Sequence, residues 1–217
     1  MNNLLHLLEN NHRWASDKIK QQKDFFTRLE NIQTPQYLWI GCSDSRVPAN
    51  EIVALDPGEL FVHRNVGNVV VHSDLNCLSV IQYAVDVLQV KHIMIVGHYG
   101  CGGVRAALLK QRFGLIDNWL KHIQDIHQRY QSIVESSGGV EKQVDRLCEL
   151  NVIEQTLNVC ETTIIQDAWA RSASLDVHGW IYGLNDGIIR DLNITMNSPD
   201  DMAAIYQRAV SRVNGTI

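Results

Sequence analysis

The chain is poor in the residues that interrupt or staple a fold. It has 4 prolines and 14 glycines in 217 residues, with no proline-rich or low-complexity linker, so neither a repeat array nor a string of small modules is indicated. It has no apolar run approaching 18 residues, and its mean hydropathy is -0.12, which excludes a membrane-spanning helix. It lacks a basic excess: 19 Lys and Arg stand against 24 Asp and Glu, a formal net charge of -5. Nucleic-acid binders carry the opposite balance or a basic stripe. The first residues, MNNLLHLLENNHRW, lack the basic-then-apolar order of a secretory signal, and a cytoplasmic protein is the expectation. There is no Cys-x-x-Cys pair, HExxH, phosphate-binding GxxxxGK[ST] or deaminase HxE…PCxxC pattern. The Gly100-Cys101-Gly102-Gly103 turn has Arg105 where a dinucleotide fingerprint needs its third glycine.

What is present is a chain long enough to bury a core without disulfides. Its five cysteines are Cys42, Cys77, Cys101, Cys148 and Cys160. An odd number with no export signal points to a reducing compartment and to free or metal-bound thiols. Cys77, Cys148 and Cys160 lie at apolar helical positions and read as small buried hydrophobes.

Periodicity predicts one α/β domain over 1–217, a mostly parallel central sheet flanked by helices, with an N-terminal helical arm over 1–34. The arm reads as two helices broken at Asn10-Asn11, packed either on its own domain or on a neighbouring subunit. Strands are expected at Tyr37 to Gly41, Leu60 to Arg64, His92 to Gly97 and Leu175 to Tyr182, with a turn over Gly183 to Asp191 into a last strand. Helices are expected at Leu75 to Val90, Val104 to Gln111, Leu115 to Tyr130, Val144 to Cys160, Thr163 to Ala173 and Asp200 to Val213. Continuous apolar strands alternating with helices indicate a parallel sheet covered on both faces.

Two segments, Cys42-Ser43-Asp44-Ser45-Arg46 and His98-Tyr99-Gly100-Cys101-Gly102-Gly103, each follow a buried strand, at the rim where such sheets bind ligands. If the two strands are neighbours, Cys42, His98 and Cys101 converge. Two thiolates and an imidazole suit zinc, and three protein ligands leave a fourth position for water or substrate. Two thiolates also neutralise a divalent ion, and the ion lowers the pKa of a bound water. The glycines around Cys101 let backbone approach the metal, and a helix starting near Val104 would aim amides at an anion. Asp44 can pair with Arg46 or can itself ligate the metal. The first arrangement leaves the site open and the second closes it. His63, His72, His122, His127 and His178 read as surface or structural, and His92 simply opens a strand.

The two motifs together resemble those of β-class carbonic anhydrases. The likeness extends through Leu38 to Gly41, Pro57 to Asn65, Asp74 to Val87 and His178-Gly179-Trp180, from about residue 10 to 195, and looks like the bacterial branch. The resemblance implies reversible hydration of CO2 to bicarbonate and a proton, with one zinc per chain held by Cys42, His98 and Cys101. It makes Asp44 and Arg46 a catalytic dyad, Asp44 swinging between Arg46 and the metal. It implies that Gln33 reaches the site across a dimer interface, that Gly102 and Gly103 face substrate, and that Phe61, Val66, Tyr83 and Val87 line a CO2 pocket. It implies a dimer or tetramer whose arm embraces the partner. In one subgroup it also implies an inhibitory, non-catalytic bicarbonate site at Trp39, Arg64 and Tyr182. Two alternatives stay open: hydrolysis of carbon disulfide or carbonyl sulfide on the same scaffold, and a non-catalytic zinc-stabilised interaction module closed by Asp44. No nucleic-acid or membrane partner is expected.

Overall fold

The computed structural model describes residues 3–31 and 33–215. The chain divides into two compact units, residues 1–34 and 35–217.

The first unit is a helix pair, α1 (Leu5–Gln21) and α2 (Phe25–Asn31). α1 runs unbroken through Asn10 and Asn11, so the break expected there is displaced to residues 22–24. Asparagine costs a helix well under 1 kcal/mol relative to alanine, and both side chains are exposed. Trp14, Phe25 and Phe26 join the two helices edge to face, with ring centroids 5.0–6.4 Å apart. The Lys18 ammonium lies 5.0 Å from the Phe25 ring centre. Leu4, Leu5, Leu7 and Leu8 each stay more than half exposed, at 53–59%.

The second unit is built on five strands: β1 (Tyr37–Cys42), β2 (Leu60–Asn65), β3 (His92–His98), β4 (Asp176–Tyr182) and β5 (Ile189–Met196). Their order is β2-β1-β3-β4-β5. The first four are parallel, and β5 runs antiparallel to β4 with a bulge between Gly179 and Trp180. The architecture is therefore the expected α/β one. β1 and β3 are buried almost throughout, as their unbroken apolar runs require, and they take the inner places. β2 and β5 alternate more and form the edges.

Among the described residues, eight α-helices join and cover the strands: α3 (Ala49–Ile52), α4 (Leu75–Gln82), α5 (Gly102–Leu108), α6 (Ile116–Arg129), α7 (Gln131–Glu135), α8 (Val140–Cys160), α9 (Thr163–Ala170) and α10 (Met202–Val213). α4 is capped by Asp74, whose side chain accepts from the Asn76 N–H, and continues as a π-helical turn over Tyr83–Val87. The short α3 and α7 are additional to the expected elements, and α8 begins four residues before Val144. α8 is buried on most sides against β3 and β4. Gly97 makes this approach possible, because a Cβ there would meet Val152 Cγ2 at 2.5 Å. No described helix is long and apolar enough to cross a membrane.

Candidate metal centre

β1 ends on Cys42 and β3 on His98, and the two strands are hydrogen-bonded neighbours. The turn after β3 returns Cys101 to the same point as the residue preceding α5. Gly100 makes that turn at φ 64°, where a side chain would be strained. Its N–H donates to Asp145 Oδ1 at 3.0 Å.

Cys42, His98 and Cys101 bring their donor atoms within 4.8 Å of one another, and all three residues are buried. The two Sγ atoms are 3.9 Å apart. A tetrahedral zinc with bonds of about 2.3 Å sets two sulfurs about 3.8 Å apart. His98 Nδ1 faces the Tyr99 carbonyl oxygen at 3.0 Å, which keeps the proton on Nδ1 and leaves Nε2 a bare lone pair facing the two sulfurs. That Nε2 is buried and has no hydrogen-bond partner, as a metal ligand atom requires. The donor set therefore fits zinc.

The two thiols do not ionise alike. The hydrogen bond between the two sulfurs draws Cys42 down, against the opposing effect of burial. The same bond, together with burial, pushes Cys101 far up.

Asp44 stands at the mouth of this group. Its Oδ1 accepts from the Arg46 backbone N–H at 3.0 Å and from Nε at 2.9 Å, and its Oδ2 accepts from Nη2 at 2.7 Å. These bonds hold its carboxyl well below the usual range. Oδ2 lies 3.6 Å from His98 Nε2, so the carboxylate borders the ligand pocket while bound to Arg46.

Arg64 ties the Cys42–Asp44 turn to β2. Its Nε donates to the Cys42 carbonyl at 2.8 Å and its Nη2 to the Asp44 carbonyl at 2.5 Å. Trp39 is fully buried in a small cluster against which Tyr182 packs. Its indole lies over Gly41, where a Cβ would meet Nε1 at 2.2 Å. Gly41 is the register partner of Arg64, and the Trp39 N–H is buried without an acceptor.

The remaining expected site residues are scattered differently. Gly102 and Gly103 open α5 directly after Cys101. Val66 lies beside Gly103, 2.9 Å from where its Cβ would be. Phe61 pairs with Leu38, four residues short of Cys42, and its ring is 5.9 Å from that of Tyr83. Tyr83 and Val87 are exposed. Gln33 lies in the first unit.

Several positioning residues carry no local sequence signal. Asn151 and Asn158 of α8 donate to the carbonyls of Gly67 and Val70, and Gln155 accepts from the Val70 N–H, at 2.8–3.0 Å. Trp119 donates to the Val66 carbonyl at 2.8 Å. Together they fix the 66–70 loop beside the centre. Tyr99 donates to Glu149 at 2.7 Å and so anchors the turn between His98 and Cys101.

A parallel α/β sheet with a buried Cys-His-Cys group at adjacent strand ends, and a carboxylate held aside by arginine, defines the metal-centre class. The profile of the family described as carbonic anhydrase matches residues 37–189. A carbonic anhydrase of Emericella nidulans is 46% identical over 87% of this chain and 82% of its own length. The Coccomyxa β-carbonic anhydrase, solved in complex with acetazolamide, is 36% identical with a TM-score of 0.90, covering 94% of this chain and 92% of that one. A tetrameric β-carbonic anhydrase of Sordaria macrospora is 36% identical with a TM-score of 0.86, covering 90% and 100%. This chain belongs to the carbonic anhydrase family, in its β class. Two of these relatives are from filamentous fungi, and they do not support the expected bacterial branch.

Proposed function

We propose that the chain catalyses the reversible hydration of CO2 to bicarbonate and a proton, with one zinc held by Cys42, His98 and Cys101. The buried Cys42–His98–Cys101 group with its partnerless His98 Nε2 carries this reading. Zinc, when bound, supplies the Lewis acidity that activates water at neutral pH. Arg46 keeps Asp44 ionised and away from the metal position, so a fourth position stays available. Asp44 then acts as a hydrogen-bond acceptor at the pocket mouth and orients the O–H of the attacking group. Arg46 and Asp44 in this arrangement argue against a permanently closed structural site.

Asp44 leaving Arg46 for the metal would shut the centre, and the second bicarbonate site supplies a lever for that. The unpartnered Trp39 N–H is a donor awaiting an anion, and Arg64 is a cation beside it, with Tyr182 on the same cluster. An anion there competes for the Arg64 bonds to the Cys42 and Asp44 carbonyls and so loosens the Asp44 turn. By linkage, whatever favours the open state weakens bicarbonate at this second site.

Self-association is part of the proposal. The exposed leucines of α1 favour an arm that lies on a neighbouring copy, bringing Gln33 to that copy's site. The five free cysteines, all buried, suit the cytoplasm. Removal of zinc by a chelator tests the catalytic reading: CO2 hydration must fall with zinc content and return when zinc does. Activity independent of zinc content would overturn it.

A further inference from the structure

We propose that His92, Asp176 and His178 form a second cation site, which takes a divalent transition ion of the zinc, nickel or copper type. It lies at the other end of the sheet from Cys42, His98 and Cys101. His92 and His98 are the two ends of β3, about 20 Å apart at the usual strand rise.

The three residues open β3 and β4. His92 is the register partner of Asp176, and His178 lies two residues further, on the same face of β4. Their donor atoms all lie within 4.8 Å of one another. His92 Nδ1 is 3.1 Å from His178 Nε2 and 3.5 Å from Asp176 Oδ2. A tetrahedral ion with bonds of about 2.0–2.1 Å spaces such atoms about 3.3 Å apart, between those two distances. Two imidazoles and a carboxylate are a recognised set for these ions, and they leave a position for water.

The rings are held in place. His178 Nδ1 lies 3.0 Å from Thr195 Oγ1 of β5, and donating there leaves Nε2 to face the cluster as a base. Tyr37 stacks on His92, with centroids 5.7 Å apart and planes at 21°. Trp180 lies 5.8 Å from His178. His92 and Asp176 keep 37% and 36% of their side-chain surface exposed, which leaves an ion a way in. The other His–Asp–Cys group, His63, Asp74 and Cys77, is a poorer candidate. Cys77 is fully buried and His63 nearly so, which leaves an ion no way in, and burial pushes the Cys77 thiol up to about 12.

An ion here would tie β3 to β4 and, through Thr195, to β5. Protein holding one zinc per chain after dialysis is titrated with Zn2+, and in parallel with Ni2+, by calorimetry and by equilibrium dialysis with metal counting. A second ion per chain and a rise in Tm are expected. His178→Gln and Asp176→Asn should weaken that second binding at least tenfold and keep the first zinc and CO2 hydration. Saturation at one ion per chain up to millimolar metal would overturn the proposal, as would unchanged second binding in the variants. If His178→Gln fails to fold, His92→Gln, which replaces one donor at the strand start, gives the same reading.

Discussion

Asp44 and Arg46, two residues apart on one turn, form a two-pronged ion pair that keeps the carboxylate 3.6 Å from His98 Nε2. The carboxylate is therefore beside the metal position without being committed to it. Asp44→Asn should keep zinc and lower kcat/KM for CO2 about a hundredfold or more, the scale of a positioned proton acceptor. Arg46→Gln should also keep zinc and lose activity, because the freed carboxylate is drawn onto the metal. Stopped-flow hydration with zinc assayed in the same samples checks both. Full activity in Asp44→Asn would end this account of the dyad.

The unequal thiols predict how metal binding couples to protons. The hydrogen bond between the two sulfurs draws Cys42 down and drives Cys101 up, which favours one thiolate and one thiol in the apo protein. Zinc entering the apo protein should therefore displace about one thiol proton. Two ordinary thiols, with pKa about 8.5, would release close to two. Calorimetry in buffers of different ionisation enthalpy counts the protons.

How much of this was legible in the sequence follows from the range of each contact. Cys42, His98 and Cys101 could be placed together because each sits at the end of an unbroken apolar run, and parallel strands bring such ends to one rim. β1 and β3 were readable for the same reason. The loop contacts of Asn151, Gln155 and Trp119 were not, since they join residues 53–85 positions apart and leave no local pattern. The helix does not break at Asn10-Asn11, because a modest penalty at two exposed positions is outweighed by the rest of α1. The cluster at His92, Asp176 and His178 needed the β3–β4 register, which periodicity does not supply.

The orphaned Trp39 N–H predicts an anion effect. Trp39→Phe keeps a buried ring and removes the donor. A hydrogen bond to a charged partner contributes about 1.5–3 kcal/mol, so bicarbonate inhibition should weaken about tenfold or more. Tyr182→Phe should act in the same direction. Unchanged inhibition in Trp39→Phe would remove the second bicarbonate site from the account.

Burial lowers the pKa of His63, His127 and His178. The unfolded chain takes these protons near pH 6.5, and the folded chain only at lower pH. The unfolded state thus binds more protons in that window, and stability falls as pH drops below about 6.5. Glu149, raised above its ordinary value by burial, acts in the opposite sense, since the folded chain takes its proton before the unfolded one does. Tm of the zinc-loaded protein should decline from pH 7.5 to 5.5, and the decline should be shallower in His127→Gln.

The most direct test of the central claim is stopped-flow CO2 hydration from about pH 6.5 to 9, across the region where a zinc-activated water ionises, on protein with its zinc content measured. The account predicts activity that rises with pH at about one zinc per chain and disappears in Cys101→Ala together with the metal. Zinc-loaded protein that hydrates no CO2 at any pH in this range would contradict it.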